Sequence, residues 1–531
     1  MANGELITKG KLSEGALLFA ASFFLYSAAS PGNLTGDTEV RWSVSRQIVR
    51  VNGIFLEDDL PTNNYVIGAG GKRYSYYGAG QSVCMLPFAA MGLGIEKVWG
   101  ISPKSADLAA QFLTSIILFP AIGATLVWLF YRLVLLLGYT KRAGIFSSSV
   151  LAFSTMNFHY SVNTQEQTQI ALLLVLAILL ITKYHKEQRF VYGWLFCVVL
   201  GMCLLFRTTS AVVIFPLYLI AVLSEVFGPD KKNRSHIIGK WLMAGVLGTG
   251  GFIVTCVWYN FARFGSIFES GYGLVDTVLG GHTMFESAPL PTAAAMLFSP
   301  GKSIFLYNPV LLLLSVCLWP FCRRHKFLAI VIITVTTGNF LLYSFCTTWA
   351  GDYAWSIRYQ VVVLPFLVLP LVELFIRPFK ALVKTVIISV IAVSCVIQLA
   401  SVVYNFNLEF VQNPNHHLIP DDYVWDWSQS HLRKRFENIF RHIADKRDFS
   451  SVKVTDEEPL LLKYNHSEES VRNAYHVNFF PFKAQSKPSI VKLFYPLFIL
   501  WLVLLAGFFV SIFKLTQFYI RQNRNISTER S

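Results

Sequence analysis

The run EGALLFAASFFLYSAAS at residues 14–30 gives way, a few residues on, to Gly36-Asp37-Thr38-Glu39-Val40-Arg41-Trp42. An apolar run of about 17 residues is near the lower limit for crossing a bilayer as a helix. The two acids mark where the chain surfaces. No small-residue cleavage site follows the run, so it reads as a retained span rather than a removed signal. Beyond the acids, more than 40 residues are polar or amphipathic. A carboxylate pair just outside a membrane is placed for chemistry on a membrane-borne substrate.

Composition agrees with a membrane class. The 531 residues are 54% hydrophobic and 15% aromatic, and 14% are charged; a soluble domain has about 25% charged residues. Mean hydropathy is +0.49. The net charge is +14, but Lys and Arg gather in short clusters between apolar runs. That is the positive-inside pattern, and it argues against nucleic acid as a partner. Cys84, Cys197, Cys203, Cys256, Cys317, Cys322, Cys346 and Cys395 lie mostly in or beside apolar runs, with neither metal-ligand spacing nor a disulfide framework.

Apolar runs place spans near residues 14–30, 107–137, 143–159, 168–184, 190–206, 210–227, 241–259, 303–321, 327–346, 359–377, 381–404 and 490–515, about twelve in all. The expected fold is all-α and polytopic. Lys9 and Lys11, Lys141-Arg142, Lys183 with Lys186 and Arg189, Lys231-Lys232 with Arg234, Arg323-Arg324 with Lys326, and Arg377 with Lys380 fall on alternate connections, as do Arg521, Arg524 and Arg530 at the end. Both termini are then cytoplasmic. Residues 31–106, 260–302, 347–358 and 405–489 form the outer loops.

The organisation expected is a transmembrane catalytic unit over 1–404, an outer segment over 405–489, and a last span with a basic tail over 490–531. Within the first outer loop, Thr38 to Val51 reads as an interfacial helix. Residues 83–99 are a Gly-broken stretch, too short to span and more in keeping with an interfacial or re-entrant piece. The glycines of residues 68–78 allow tight turns. Segment 405–489 is short for an independent domain and could cap the outer face.

Asp37 and Glu39, two apart, do not share a helix face. One can serve as general base while the other acts as a helix-start acid. Asp37 also reads as an N-cap. The outer cations Arg41, Lys72, Arg73, Arg263, Lys302 and Arg358 run against the positive-inside bias. A phosphate is their natural partner; ordinary headgroups, or salt bridges to Glu269 or Asp352, are the plainer reading. Tyr74, Tyr76, Tyr77, Tyr272, Trp349, Tyr353 and Trp355 could stack on sugar or anchor at the interface, with Tyr77 and Trp349 favoured for substrate. His159 and Glu166 flank a short outer turn. With Asp37 they leave a divalent metal possible, although a structural histidine fits the loose spacing better, and Arg207 reads equally as structural. No other cofactor is implied. His416-His417 and Asp421-Asp422 support no site.

The placement of Asp37 after the first span resembles GT-C fold glycosyltransferases that use polyprenyl-phosphate donors, a superfamily that includes protein mannosyltransferases and aminoarabinose and arabinofuranose transferases. Tyr259-Asn260-Phe261-Ala262-Arg263-Phe264-Gly265-Ser266 with Glu269-Ser270-Gly271-Tyr272-Gly273 resembles a stretch of bacterial members. So do residues 297–309, which include Ser299-Pro300-Gly301-Lys302, and Trp349-Ala350-Gly351-Asp352-Tyr353-Ala354-Trp355-Ser356-Ile357-Arg358-Tyr359, where Asp352 and Ser356 replace the usual glycines. The resemblance covers most of residues 14–404. It implies a GT-C bundle with interfacial helices in the first outer loop, at the bacterial inner membrane, with the site facing the periplasm. It also implies transfer of a sugar from a polyprenyl-phosphate donor to a protein, lipid or glycan acceptor, with inversion. Asp37 would be the base and Glu39 its helper. Arg41, Lys72, Arg73, Arg263, Lys302 and Arg358 would bind donor phosphate, and Tyr76, Tyr77, His159, Glu269, Tyr272, Trp349 and Asp352 would line the substrate. A single-displacement transferase with a phosphate leaving group needs one base, whereas a glycosidase needs two acids. The competing readings are a transporter or lipid flippase, for which Glu373 is the notable charge within a span, and a polymerase or ligase of lipid-linked oligosaccharides.

Overall fold

The structure, a computed structural model, describes residues 13–34, 36–58, 60, 64–228, 234–274, 284–351, 354–405, 408–411, 424–445, 476–485 and 490–528. Asp352 and Tyr353, His416-His417 and Asp421-Asp422 lie outside the described residues.

The protein is an all-α, multi-pass integral membrane protein with one small hairpin, in which Val66–Ile67 pairs antiparallel with Arg73–Tyr74. Among the described residues eight helices are long and apolar enough to cross a membrane: Gly80–Trp99, Pro103–Leu136, Gln167–Glu187, Thr208–Val226, Arg234–Phe264, Lys326–Phe345, Ala381–Val403 and Val491–Ile520. Glu14–Ala29, Phe190–Phe206, Pro289–Phe298 and Leu364–Phe375 are shorter apolar helices. The expected twelve full spans therefore become eight long helices and several broken ones. Proline accounts for much of this, because it removes a backbone donor and clashes with the preceding turn. Region 303–321 divides into Ile304–Tyr307, a 3₁₀ segment opening at Pro309, and Leu314–Arg324. Region 359–377 is a series of short turns carrying Pro365 and Pro370. Region 143–159 divides at Ser154 into Lys141–Phe153 and Asn157–Val162. Conversely, the stretch expected to be Gly-broken at 83–99 is continuous helix over Gly80–Trp99, and by length and composition it can span.

Helices approach closely where side chains are small. A Cβ on Gly248 would lie 2.7 Å from that of Cys197, joining Arg234–Phe264 to Phe190–Phe206. All eight cysteines are free.

The basic connectors gather at one end of the bundle. Glu373, fully buried, accepts from the Tyr139 hydroxyl at 2.6 Å and faces Arg324 and Arg377 at 3.4 Å each. His325 reaches Tyr139 at 3.1 Å, Lys141 pairs with Glu14 at 3.4 Å, and Arg142 lies over the Tyr519 ring at 4.7 Å. Sites near both ends of the chain thus meet connectors 137–142, 323–326 and 373–377, as the charge pattern requires.

The opposite end is closed partly by pieces of the segment after residue 404. Arg435, on the helix His431–Asp445, is fully buried. It donates to Ala400, Ser401 and Tyr404 carbonyls at 3.2, 2.9 and 3.2 Å, satisfying the C-terminal turn of Ala381–Val403. It also forks onto Glu409, with one contact at 2.7 Å, and His431 bonds the same carboxylate at 2.9 Å. Burial acts to raise the Glu409 carboxyl, but the Arg435 charge and these hydrogen bonds bring it down to about 2. A carboxyl lowered on folding contributes stability that is present above its ordinary range and is lost as pH falls toward about 2. Replacing Arg435 by Leu strands a buried carboxylate, which costs about 3–5 kcal/mol. We expect Arg435→Leu to lower the unfolding temperature of the purified protein at neutral pH; an unchanged unfolding temperature would refute this role.

Candidate active site

The site forms at the end opposite the basic connectors, around the helix Asp37–Val51. Gly36 precedes it at φ 54°, ψ −126°, a backbone state that favours glycine. Gly36 occupies the N-cap, which corrects the reading of Asp37 as cap: Asp37 is the first helical residue, and its side chain is not spent on the helix end. The helix is clamped in place. Trp42 Nε1 donates to Asp107 at 2.9 Å, Arg46 pairs with Asp107 at 3.3 Å, and the Ser45 hydroxyl donates to the Ser82 carbonyl and the Ser82 hydroxyl to the Arg41 carbonyl, each at 2.9 Å. Val40 and Val44 pack with Leu56 and Tyr77.

Asp37 Oδ2 pairs with Arg358 Nη1 at 3.2 Å, and its side chain is 21% exposed. Burial alone would raise the carboxyl. The charges of Arg358, Arg41 and Arg207, with a hydrogen bond from the Tyr77 hydroxyl, outweigh it and hold Asp37 below the usual carboxylate range. Glu39 is exposed on another face of the helix.

Beneath Asp37 lies a buried ion triad. Arg41, 2% exposed, pairs with Glu166 Oε2, while Arg207 Nη1 meets Glu166 Oε1 at 3.3 Å. Arg41 stacks on the Tyr77 ring at 4.0 Å, and Arg207 on Tyr359 at 4.7 Å. Tyr359 also accepts from Arg358 Nη2 at 3.1 Å and stacks on Tyr343 at 4.2 Å. Three guanidinium groups thus converge around Asp37 and Glu166.

Two of the cations expected to bind phosphate, Lys302 and Arg263, hold the loops that shape the site. Lys302 is fully buried and donates to the Ala354 and Ser356 carbonyls at 2.6 and 3.3 Å, fixing the loop that carries Arg358. Ser356 Oγ returns a bond to the Lys302 carbonyl at 3.2 Å. Ser356 has φ 54°, the left-handed region, so glycine at this position is the easier choice and serine needs its side-chain tether. Arg263 donates to the carbonyls of Ser75, Tyr77 (3.1 Å) and Tyr259 (3.2 Å) and to Asn260 Oδ1 (3.0 Å). It fixes the loop that carries Tyr76 and Tyr77. Gly78 completes that fit, because a Cβ there would lie 2.4 Å from the Leu205 carbonyl oxygen.

The other expected residues are distributed as follows. Lys72 is exposed over the Phe55 ring, and Arg73 donates to the Asp58 carbonyl at 2.7 Å. Tyr76 touches Tyr77 and Tyr272, with ring centroids at 4.5 and 5.2 Å. Glu269 accepts from the Gly271 backbone at 2.6 Å, and Trp349 is buried in the core. His159 stacks on Trp355 and meets Asn163 at 3.0 Å; burial, with the charges of Arg435 and His431, keeps it neutral. Glu166 is committed to two guanidinium groups and Asp37 to a third, and no grouping of three His, Cys, Asp or Glu exists among the described residues.

Beside Arg207 opens a cavity of about 220 Å³, lined among others by Tyr76, Leu205, Arg207, Thr255, Tyr272 and Leu342. Its walls are mostly apolar, Arg207 and Arg263 are its cations, and three long membrane helices contribute to it. Arg207 is the residue that sequence reasoning undervalued. Its available signal was a lone cation directly after an apolar helix on the outer side.

Residues 105–258 match the family described as dolichyl-phosphate-mannose-protein mannosyltransferase. No curated protein matches the chain. Among solved structures, ArnT from Cupriavidus metallidurans bound to undecaprenyl phosphate is similar at 12% identity with a TM-score of 0.46, over 86% of this chain and 74% of that one. The Archaeoglobus fulgidus oligosaccharyltransferase in the apo form is similar at 12% identity and 0.46, over 78% and 60%. AglB from the same organism, in complex with an inhibitory peptide and a dolichol-phosphate, is similar at 11% identity and 0.45, over 77% and 59%. The chain spans about 60% of the archaeal protein, and likeness at this level assigns no role to any residue here. The family match is the firmer finding: the segment from Pro103–Leu136 into Arg234–Phe264, which carries Glu166 and Arg207, is similar to protein mannosyltransferases.

Proposed function

We propose that the protein is a membrane glycosyltransferase of GT-C type that moves a sugar from a polyprenyl-phosphate donor to an acceptor hydroxyl on the outer face, with Asp37 as general base. The carrying observation is the Asp37–Arg358 pair set among Arg41, Arg207 and Tyr77 beside an apolar cavity. The arrangement matches a donor with one anionic and one apolar end. The family match over residues 105–258 supports the same class.

In this reading the prenyl chain occupies the cavity, and the donor phosphate meets Arg207 and Arg358. A phosphate that engages Arg358 takes from Asp37 the cation that most depresses its basicity. Donor binding would thereby convert a resting ion pair into a usable base. The acceptor oxygen then attacks the anomeric carbon and loses its proton to Asp37. The carbon–oxygen bond to phosphate breaks, and polyprenyl phosphate leaves with the bonding pair held by the guanidinium groups. One displacement inverts the anomeric centre. The setting of Glu373, tied to Tyr139, Arg324 and Arg377 at the basic end, favours an enzyme over a transporter, whose working charges face a translocation path.

Asp37→Asn should preserve folding and donor binding and lower the transfer rate by roughly 10²–10⁴-fold, the usual contribution of a positioned base. Transfer at the unaltered rate would remove Asp37 from the role. Loss of solute movement across vesicles, with no transfer by the parent protein, would overturn the enzyme reading. The Asp37–Arg358 pair also sets a pH signature. The Asp37 carboxyl lies below its ordinary value, so the parent retains the ionised base as pH falls through the usual carboxylate range. Arg358→Gln removes the largest of the charges that oppose burial. The acid limb of kcat/KM should then move to higher pH, and an unmoved limb would contradict the coupling.

A further inference from the structure

The helix His431–Asp445 presents its faces in reverse of the usual order for a water-soluble cap. His431, Arg435 and Asn438, at i, i+4 and i+7, turn inward and are buried. Phe436, Phe440 and Ile443 form a second stripe at the same spacing. Phe436 leans on the core, whereas Phe440 is 65% and Ile443 69% exposed. A helix held by a buried arginine gains nothing from apolar side chains in water, since each exposed one forgoes about 1.5–3 kcal/mol of burial. Just before it, Trp425 and Trp427 are 52% and 49% exposed.

Two further observations identify what meets this surface. The first is position. Arg435 ties the helix to the carbonyls of Ala400, Ser401 and Tyr404, at the end of Ala381–Val403, which is long and apolar enough to span. That helix exposes Val393, Val396 and Leu399, so an apolar surface runs along it to the level where the bilayer would end. The second is charge. Arg433, paired with Glu437 at 2.6 Å, and Arg441 are exposed on the same helix, and the exposed members of this surface include two tryptophans. Basic side chains beside exposed aromatic ones are the composition of a headgroup-level anchor.

We propose that the helix His431–Asp445, with Trp425 and Trp427, is an interfacial anchor that seats Phe440 and Ile443 in the bilayer and Arg433 and Arg441 among anionic headgroups. The anchor stands independently of the chemistry proposed for Asp37. It would fix the plane of the cap, because His431 packs on Trp355 at 4.8 Å and Arg435 lies over the same ring at 5.5 Å. Trp355 belongs to the loop that carries Arg358.

The test is photo-crosslinking of the full chain reconstituted into vesicles of phosphatidylethanolamine, with and without phosphatidylglycerol. A benzophenone amino acid is placed at 440, 443 or 437, one position at a time, and adducts are read by mass spectrometry. Positions 440 and 443 should give lipid adducts several-fold above position 437, and phosphatidylglycerol should raise the yield. Arg433→Glu with Arg441→Glu should abolish that rise. Adducts at 440 and 443 to this chain or to a second copy, or lipid adducts equal to those at 437, would overturn the proposal. A yield insensitive to phosphatidylglycerol would overturn its headgroup half. Unchanged elution of each variant on size exclusion certifies the fold.

Discussion

Glu166 is the carboxylate on which the site is built. It lies almost fully buried between Arg41 of the first-loop helix and Arg207 at the end of the helix Phe190–Phe206. Arg41, 2% exposed, could not remain at such depth alone, because an uncompensated buried charge is strongly unfavourable. With Glu166 between them, two cations are held where an anion can approach. Asp37 and Arg358 form a second, more exposed pair above the triad. Arg41 is the deepest of the three guanidinium groups, whereas Arg207 and Arg358 keep 17% and 12% of their side chains exposed.

A second layer of charge supports the first. Lys302 and Arg263 are buried and spend their donors on backbone carbonyls of the two loops that supply Arg358 and Tyr77. Arg435 does the same at the end of Ala381–Val403. Long irregular loops over a membrane bundle contain many carbonyls that no helix or sheet satisfies. A buried Lys or Arg satisfies several at once and so holds such loops in one shape. The hairpin and Gly78 complete this scaffold by letting the 68–78 loop lie against the neighbouring helix ends.

The membrane class, the clustering of basic connectors at one end and the helix that starts at Asp37 were all legible in the sequence, because hydropathy, charge bias and local amphipathicity are properties of contiguous residues. Asp37, Arg358 and Tyr77 were identifiable as site candidates and do come together. Helix continuity was less legible: Pro309, Pro365 and Pro370 sit inside apolar runs that hydropathy alone counts as spans. The roles of Lys302 and Arg263 were not legible either. An outward-lying cation carries the same signal whether it faces a phosphate or a carbonyl, and only the fold shows which. The Arg41–Glu166 pair joins residues 125 positions apart, a distance over which local pattern carries no information. An Asp at a helix start reads as a cap because Asp is common there, but Gly36, at φ 54°, occupies that position.

The central claim is that Arg207 and Arg358 hold the phosphate of a polyprenyl-linked donor and that Asp37 gives up Arg358 when they do. Native mass spectrometry of the intact protein, purified gently from membranes, measures this most directly. The account predicts a bound polyprenyl phosphate or its glycosylated form, depleted in Arg207→Gln and Arg358→Gln and retained in Asp37→Asn. Absence of any such lipid from the parent protein, or equal retention in both arginine variants, would contradict it.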